Sequence, residues 1–300
     1  MMLQKRSSNS KKENISGLIL DLRFNGGGSL QEAVEMAGIF IEEGGVCQIN
    51  SRDGKTVTLK DMNRGVIYSG PLIVLVNDYS ASASELVAGS LQDYNRALIV
   101  GSKTYGKATG QEIKPLPGNN AGFVKLTNLK LYRITGKTSQ MHGVEPDISL
   151  PFYQDYGIKE SENEFAIRPD TVGRYKYFTP LKEINKNGLQ TLSNTRIANG
   201  KFKELENYMR ELSIEMKKNK IPMKWDVIEK DIRAKNNLSA ERNLNAPVTV
   251  FTPANNSMDL KFINSDEIAK EINKRWLERI GHDPYIEETF LIMLDLIRIN

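Results

Sequence analysis

A serine flanked by alanines stands in Tyr79-Ser-Ala-Ser-Ala-Ser-Glu85, between an apolar run and a stretch of helical spacing. A small-residue turn at the carboxyl end of a buried strand is where open α/β sheets place reactive groups. A serine there lies at the positive end of the following helix, where backbone N–H groups are free to donate to a developing oxyanion. Ser82 is thus a candidate nucleophile. The structural alternative is equally visible: Ser82-Ala-Ser-Glu85 fits a capping box, in which serine caps the helix and the glutamate reaches back.

A serine hydroxyl is inert at neutral pH without a base beside it. Lys107, in Thr104-Tyr-Gly-Lys-Ala-Thr-Gly-Gln111, follows another apolar run and sits among small residues. Serving as a base would require its pKa to fall by about three units, roughly 4 kcal/mol, chiefly through desolvation. Gln111, four residues on, shares its face and could orient the amine without adding charge. An exposed strand lysine is the plain alternative. The chain has two histidines; neither His142, in a Gly/Pro-containing turn, nor His282, in the helical second half, has a local context that argues for a triad. Asp21-Leu-Arg-Phe-Asn-Gly-Gly-Gly28 supplies glycines between strand and helix, suited to exposing N–H groups toward an anion. It lacks the G-x-G-x-x-G spacing and the lysine of nucleotide loops.

These segments are carried by alternating strand and helix signals. Gly17–Arg23, Pro71–Val76 and Ala97–Gly101 are apolar runs of the kind that form buried strands. Leu30–Ile41 and Ser82–Tyr94 show helical spacing. Gly45–Asn50 and Thr56–Lys60 predict a hairpin around Arg52–Lys55, and Lys107–Lys114 and Lys125–Ile134 alternate as strands. Beyond Pro151 charge dominates and helical stretches follow, among them Phe202–Lys218 and Ser265–Ile280. The expected division is a polar tail over 1–15, a catalytic core over 16–155 and a helical domain over 156–300. The fold class is α/β (α+β), a mixed sheet with flanking helices followed by a mostly helical domain.

The chain has 300 residues, 39% hydrophobic and 26% charged, with a net charge of +4. Lys217, Lys218 and Lys220 are interleaved with acids rather than gathered into a patch, which argues against nucleic-acid binding. No run approaches the roughly 18 apolar residues of a spanning helix, so no membrane insertion is expected. The N-terminal MMLQKRSSNSKKEN has no apolar core of a signal peptide. A single cysteine, Cys47, rules out an internal disulfide framework and fits a strand as filler. No cofactor or metal is called for.

Together, DLRFNGGGSLQEA, SASASELVAGSLQDYNRALIVG, KTYGKATGQ and GVEPDISLP resemble, in order and spacing, the carboxy-terminal processing peptidases, most closely their tail-specific protease branch. The resemblance is dense over residues 16–152 and extends through His282-Asp-Pro-Tyr-Ile-Glu-Glu-Thr289 to the end. It implies a serine-type endopeptidase acting on proteins, near or from their C-termini. It further implies Ser82 as nucleophile, Lys107 as base, Gln111 orienting the lysine, and the N–H groups of Gly28 and Ala83 as oxyanion hole. Asp93, in QDY, would belong to a charge-relay set. On an unbroken helix, however, it stands about 16 Å from Ser82, and pairing with Arg96 is the structural alternative.

The resemblance also implies protein or peptide substrates and a periplasmic or cell-envelope address. Relatives carry an N-terminal region, a substrate-capturing PDZ domain and a secretion signal. Here only a polar tail precedes Gly17, so an adaptor or the missing N-terminal and PDZ portion is an expected partner. Phe24 and Ala108 depart from the polar residue and glycine more frequent at their positions. Two alternatives stand beside the peptidase: a catalytically silent scaffold or interaction module of the same descent, and a nucleotide-binding domain using NGGGS.

Overall fold

The computed structural model describes residues 15–62, 65–118, 122–151, 159–199, 201–216, 223–230, 232–233 and 250–299. The tail before residue 15 and Lys217, Lys218 and Lys220 lie outside these. The chain divides into two compact units, one spanning residues up to 152 with 156–189 and 295–300, the other chiefly 190–294.

In the first unit the apolar runs form a parallel sheet in the order β1-β4-β5-β8: β1 (Leu18–Asp21), β4 (Leu72–Val76), β5 (Leu98–Gly101) and β8 (Ile148–Ser149). Every residue of β4 and β5 is buried. That is why these strands read as unbroken apolar runs: a parallel strand covered on both faces has no polar side to present. Burying each such side chain contributes about 1.5–3 kcal/mol. The alternating segments form a second, antiparallel sheet in the order β3-β2-β7-β6: β2 (Gly45–Ser51), β3 (Thr56–Lys60), β6 (Thr109–Pro115) and β7 (Phe123–Tyr132).

Two helices pack with these sheets: α1 (Leu30–Gly38), capped by Ser29, and α2 (Ala83–Asp93). They contribute Ala33, Val34, Ala37, Val87, Ala88 and Leu91 to one core with Val74, Val76 and Ile99. The mixed parallel and antiparallel architecture with flanking helices is the expected fold class. Cys47 is a buried strand residue on β2, and burial pushes its thiol up to about 12. Phe178 and Tyr175, within the region assigned from sequence to the second domain, pack into this first core.

The second unit is helical. It includes most of α3 (Lys186–Ile197), α4 (Lys201–Met216), α5 (Glu267–Ile280) and most of α6 (Pro284–Ile299). Arg196 clamps the buried Glu288 through two nitrogens at 2.8–3.1 Å. Lys201 pairs with Glu287 at 3.0 Å, and the rings of Phe202 and Tyr285 meet edge to face at 5.2 Å. Among the described residues no helix is long and apolar enough to cross a membrane.

Candidate active site

The turn after β4 shows what each serine of the Ser80–Ser84 segment does. Ser80 Oγ donates to Leu22 O at 2.8 Å, and Ser84 Oγ donates to Asn25 O at 2.9 Å. Both hydroxyls therefore fasten this turn to the loop after β1, a joint completed by Ala81 N donating to Asn25 O at 3.0 Å. Among the described residues the Ser82 hydroxyl donates to no acceptor. Its backbone is held at φ +57°, a region disfavoured for a residue with a Cβ and found where the surroundings enforce it.

Glu85 supplies much of that enforcement. The capping box read from the sequence forms, with Glu85 Oε2 accepting from Ser82 N at 2.8 Å. The same oxygen accepts from Lys107 N at 2.9 Å. Its other oxygen accepts from Gly106 N at 2.7 Å and Thr104 Oγ1 at 2.6 Å. One buried carboxylate thus ties the turn of Ser82 to the loop of Lys107. Burial pushes Glu85 up to about 7, and these hydrogen bonds pull the other way. Sequence reasoning took Glu85 only as a cap; the capping-box pattern hid its second set of partners.

Ser82 and Lys107 line one small cavity of about 20 Å³ with Leu86, Ala108, Leu131 and Arg133. No hydrogen bond joins the two side chains. Lys107 Nζ donates to Gln111 Oε1 at 3.3 Å, so lysine and glutamine are brought together as the spacing suggests. Gly28 and Ala83 line a separate cavity of about 120 Å³, and among the described residues neither N–H has an acceptor. Gly27, at φ +96°, makes that approach possible: a Cβ there would lie 2.7 Å from Ala81 O and Ala83 N.

Asp93 is not brought to Ser82. It closes the eleven-residue helix α2, and its carboxylate grips Arg133, Oδ1 to Nη2 at 2.5 Å and Oδ2 to Nε at 2.9 Å. Burial raises the Asp93 pKa against the pull of that guanidinium. The expected structural partner, Arg96, is elsewhere: Nε and Nη2 donate to Phe40 O at 2.9 Å and Tyr68 O at 2.7 Å. Pairing with Arg96 is therefore corrected to pairing with Arg133, which was not singled out from sequence.

A further buried side chain, Gln140, holds the lysine loop. Its Oε1 accepts from Ala108 N at 2.7 Å, and its Nε2 donates to Glu160 Oε1 at 2.9 Å and Ile167 O at 3.0 Å. His142 is exposed. His282 Nδ1 lies 2.5 Å from Glu278 O at the end of α5, a local helix-end contact. Among the described residues no group of His, Cys, Asp or Glu is arranged to hold a metal ion.

Residues 1–150 match the model of peptidase family S41, and residues 153–298 match that of the C-terminal domain of tail specific protease. The chain is 38% identical over 165 residues to a tail-specific protease of Haemophilus influenzae, covering 52% of this chain and 24% of that protein. It is 38% identical over 158 residues to a carboxy-terminal-processing protease of Bartonella bacilliformis, covering 51% of this chain and 36% of that protein. Among solved structures, a photosystem II D1 C-terminal processing protease matches with a TM-score of 0.46 and 33% identity, over 49% of this chain and 38% of that one. The chain thus spans between about a quarter and somewhat over a third of the length of these two curated relatives.

Proposed function

Because the chain belongs to peptidase family S41, we propose that it is a serine-type endopeptidase working through an acyl-enzyme, with Ser82 as nucleophile and Lys107 as base. One observation carries this proposal. Of the three alternating serines, two spend their protons on structural bonds to Leu22 and Asn25, while Ser82 keeps its proton and shares a cavity with Lys107.

In the proposed mechanism the Lys107 amine takes the Ser82 proton as Oγ attacks a peptide carbonyl. The N–H groups of Gly28 and Ala83 receive the oxyanion; such preorganised donors are typically the largest single contribution to acyl transfer. Gln111 orients the amine through its 3.3 Å bond. Lys107 then gives the proton to the leaving amine, and water hydrolyses the ester. Asp93 enters as the anchor of Arg133 on the cavity wall rather than as a relay.

Protein or peptide chains, cleaved near or from their C-termini, are the proposed substrates, with an adaptor or a PDZ-type portion as the proposed partner. A periplasmic or cell-envelope address belongs to the same proposal and rests on family resemblance. So does the division into a peptidase core over 16–155 and a helical domain over 156–300. The matched segments, ending at 150 and beginning at 153, support that division, whereas the packing of Phe178 draws 156–189 toward the first unit.

The test is incubation of the purified chain with unfolded casein beside Ser82→Ala and Lys107→Ala, with cleavage followed by mass spectrometry. Cleavage by the parent and by neither variant is the expected result; fragments persisting with Ser82→Ala would overturn the assignment. The missing Ser82–Lys107 hydrogen bond is what favours a silent scaffold, although dyad contacts commonly tighten only with substrate bound. A parent inert toward both casein and a serine-directed probe would select that alternative.

A further inference from the structure

Two exposed aromatic side chains stand on the segments that lead to Gly28 and to Ser82. Phe24 is 66% exposed and Tyr79 40% exposed, and their rings lie 5.4 Å apart at 33°. An exposed aromatic pair leaves apolar surface in water, which soluble proteins tend to retain where something binds.

The pair is also built rather than incidental. Phe24 is held at φ +60°, unfavourable for a bulky residue. The fully buried Asn77 accepts through the one Oδ1 from both Phe24 N, at 3.0 Å, and Tyr79 N, at 3.2 Å. One carboxamide oxygen therefore sets both halves of the pair. Among the described residues its amide nitrogen has no partner, so the Asn77 side chain holds this clamp at the cost of an unsatisfied donor.

The pair sits on the two loops that carry the chemistry. Phe24 precedes Asn25, whose carbonyl accepts from Ala81 N and Ser84 Oγ, and the same loop continues to Gly28. Tyr79 lies three residues before Ser82. A chain offering its carbonyl to Ser82 and the Gly28 and Ala83 amides would meet both of these loops.

We propose that Phe24 and Tyr79 form a subsite selecting an apolar or aromatic substrate side chain near the scissile bond. The occupant is a residue of the extended substrate chain, held by stacking and apolar contact. The inference rests on the peptidase assignment above, and its test is separable from that assignment.

Three peptides differing only at one central position, Phe, Leu or Ala, are titrated against the full chain carrying Ser82→Ala, with binding read by fluorescence anisotropy. The same titrations are made with Phe24→Ala and Tyr79→Ala added. The Phe and Leu peptides are expected to bind about tenfold tighter than the Ala peptide, the discrimination typical of an apolar pocket. Phe24→Ala is expected to remove most of that ratio, and Tyr79→Ala much of it. Equal binding of the three peptides, or a ratio indifferent to both substitutions, overturns the subsite. A ratio indifferent to both, with a change of sedimentation on Phe24→Ala, assigns the pair to contact between copies and overturns it too. In parallel, casein cleavage sites are mapped for the parent chain. Failure of Ser82-dependent cleavage there counts against the peptidase assignment, while the binding ratio still decides the subsite.

Discussion

Asp93 and Arg133, forty residues apart in sequence, are joined through both carboxylate oxygens, at 2.5 and 2.9 Å. The Asp93 side chain is 7% and the Arg133 side chain 21% exposed. Arg133 is also among the residues that line the cavity of Ser82 and Lys107. A helix end far from the nucleophile is thereby joined to one residue of the cavity wall.

If Asp93 acts through Arg133, removing either should have the same effect as removing both. Asp93→Ala leaves a largely buried cation unpaired, and a loss of about 2–4 kcal/mol in urea denaturation is expected. Activity should fall with Asp93→Ala and Arg133→Ala alike, and the double variant should fall no further. Additive losses in activity would instead point to separate roles and sink the anchor explanation.

Glu85 predicts an uncommon pH dependence. Its carboxyl titrates near 7 in the fold but near the ordinary glutamate value of about 4.3 when unfolded. Between these values the folded chain binds the extra proton, so this group's contribution to stability is fully present below about 4.3 and lost as pH rises through about 7. Glu85→Gln cannot titrate. The stability of the parent relative to that variant should therefore decline from pH 5 to pH 8, as read by denaturation at each pH. A difference that stays flat, or grows with pH, contradicts the assignment. The variant should also lose activity, because an amide nitrogen replaces one of the two oxygens that accept from the Ser82 and Lys107 loops.

Neighbouring glycines should respond oppositely to the same methyl group. A Cβ at Gly26 meets nothing within 4 Å, whereas at Gly27, with φ +96°, it meets Ala81 O and Ala83 N at 2.7 Å. Gly27→Ala must push the glycine loop off the serine turn, and peptidase activity is expected to drop at least about a hundredfold, the order seen for losing an oxyanion donor. Gly26→Ala should stay within about threefold of the parent, as an open surface substitution does. Equal kinetics for the two would show that the loop's close packing is irrelevant to turnover.

Much of this was legible in the sequence where one residue's neighbours decide its fate. Leu72–Val76 and Leu98–Gly101 read as buried strands because parallel strands covered on both faces are apolar throughout. Lys107 and Gln111 were paired by their spacing, and the structure joins them. The illegible parts depend on distant partners. Arg96 was the nearest cation to Asp93, but Asn95, at φ +52°, turns the chain after the helix and carries Arg96 to Phe40 and Tyr68. Nothing local marks Arg133, a strand-end residue, as the replacement. Glu85 was visible only as a cap because its bonds to Thr104, Gly106 and Lys107 arise from tertiary folding.

The Gln140 contacts have a kinetic consequence. The turn of Ser82 is held by Leu22, Asn25 and Glu85, all within the first third of the chain. The loop of Lys107 is fastened at Ala108 by Gln140, which is itself held from Glu160 and Ile167. A chain emerging N-terminus first therefore has its nucleophile turn in hand some eighty residues before it has made the last group that steadies the base. The order of synthesis thus leaves the loop of the base without its Gln140 fastening until most of the first unit exists.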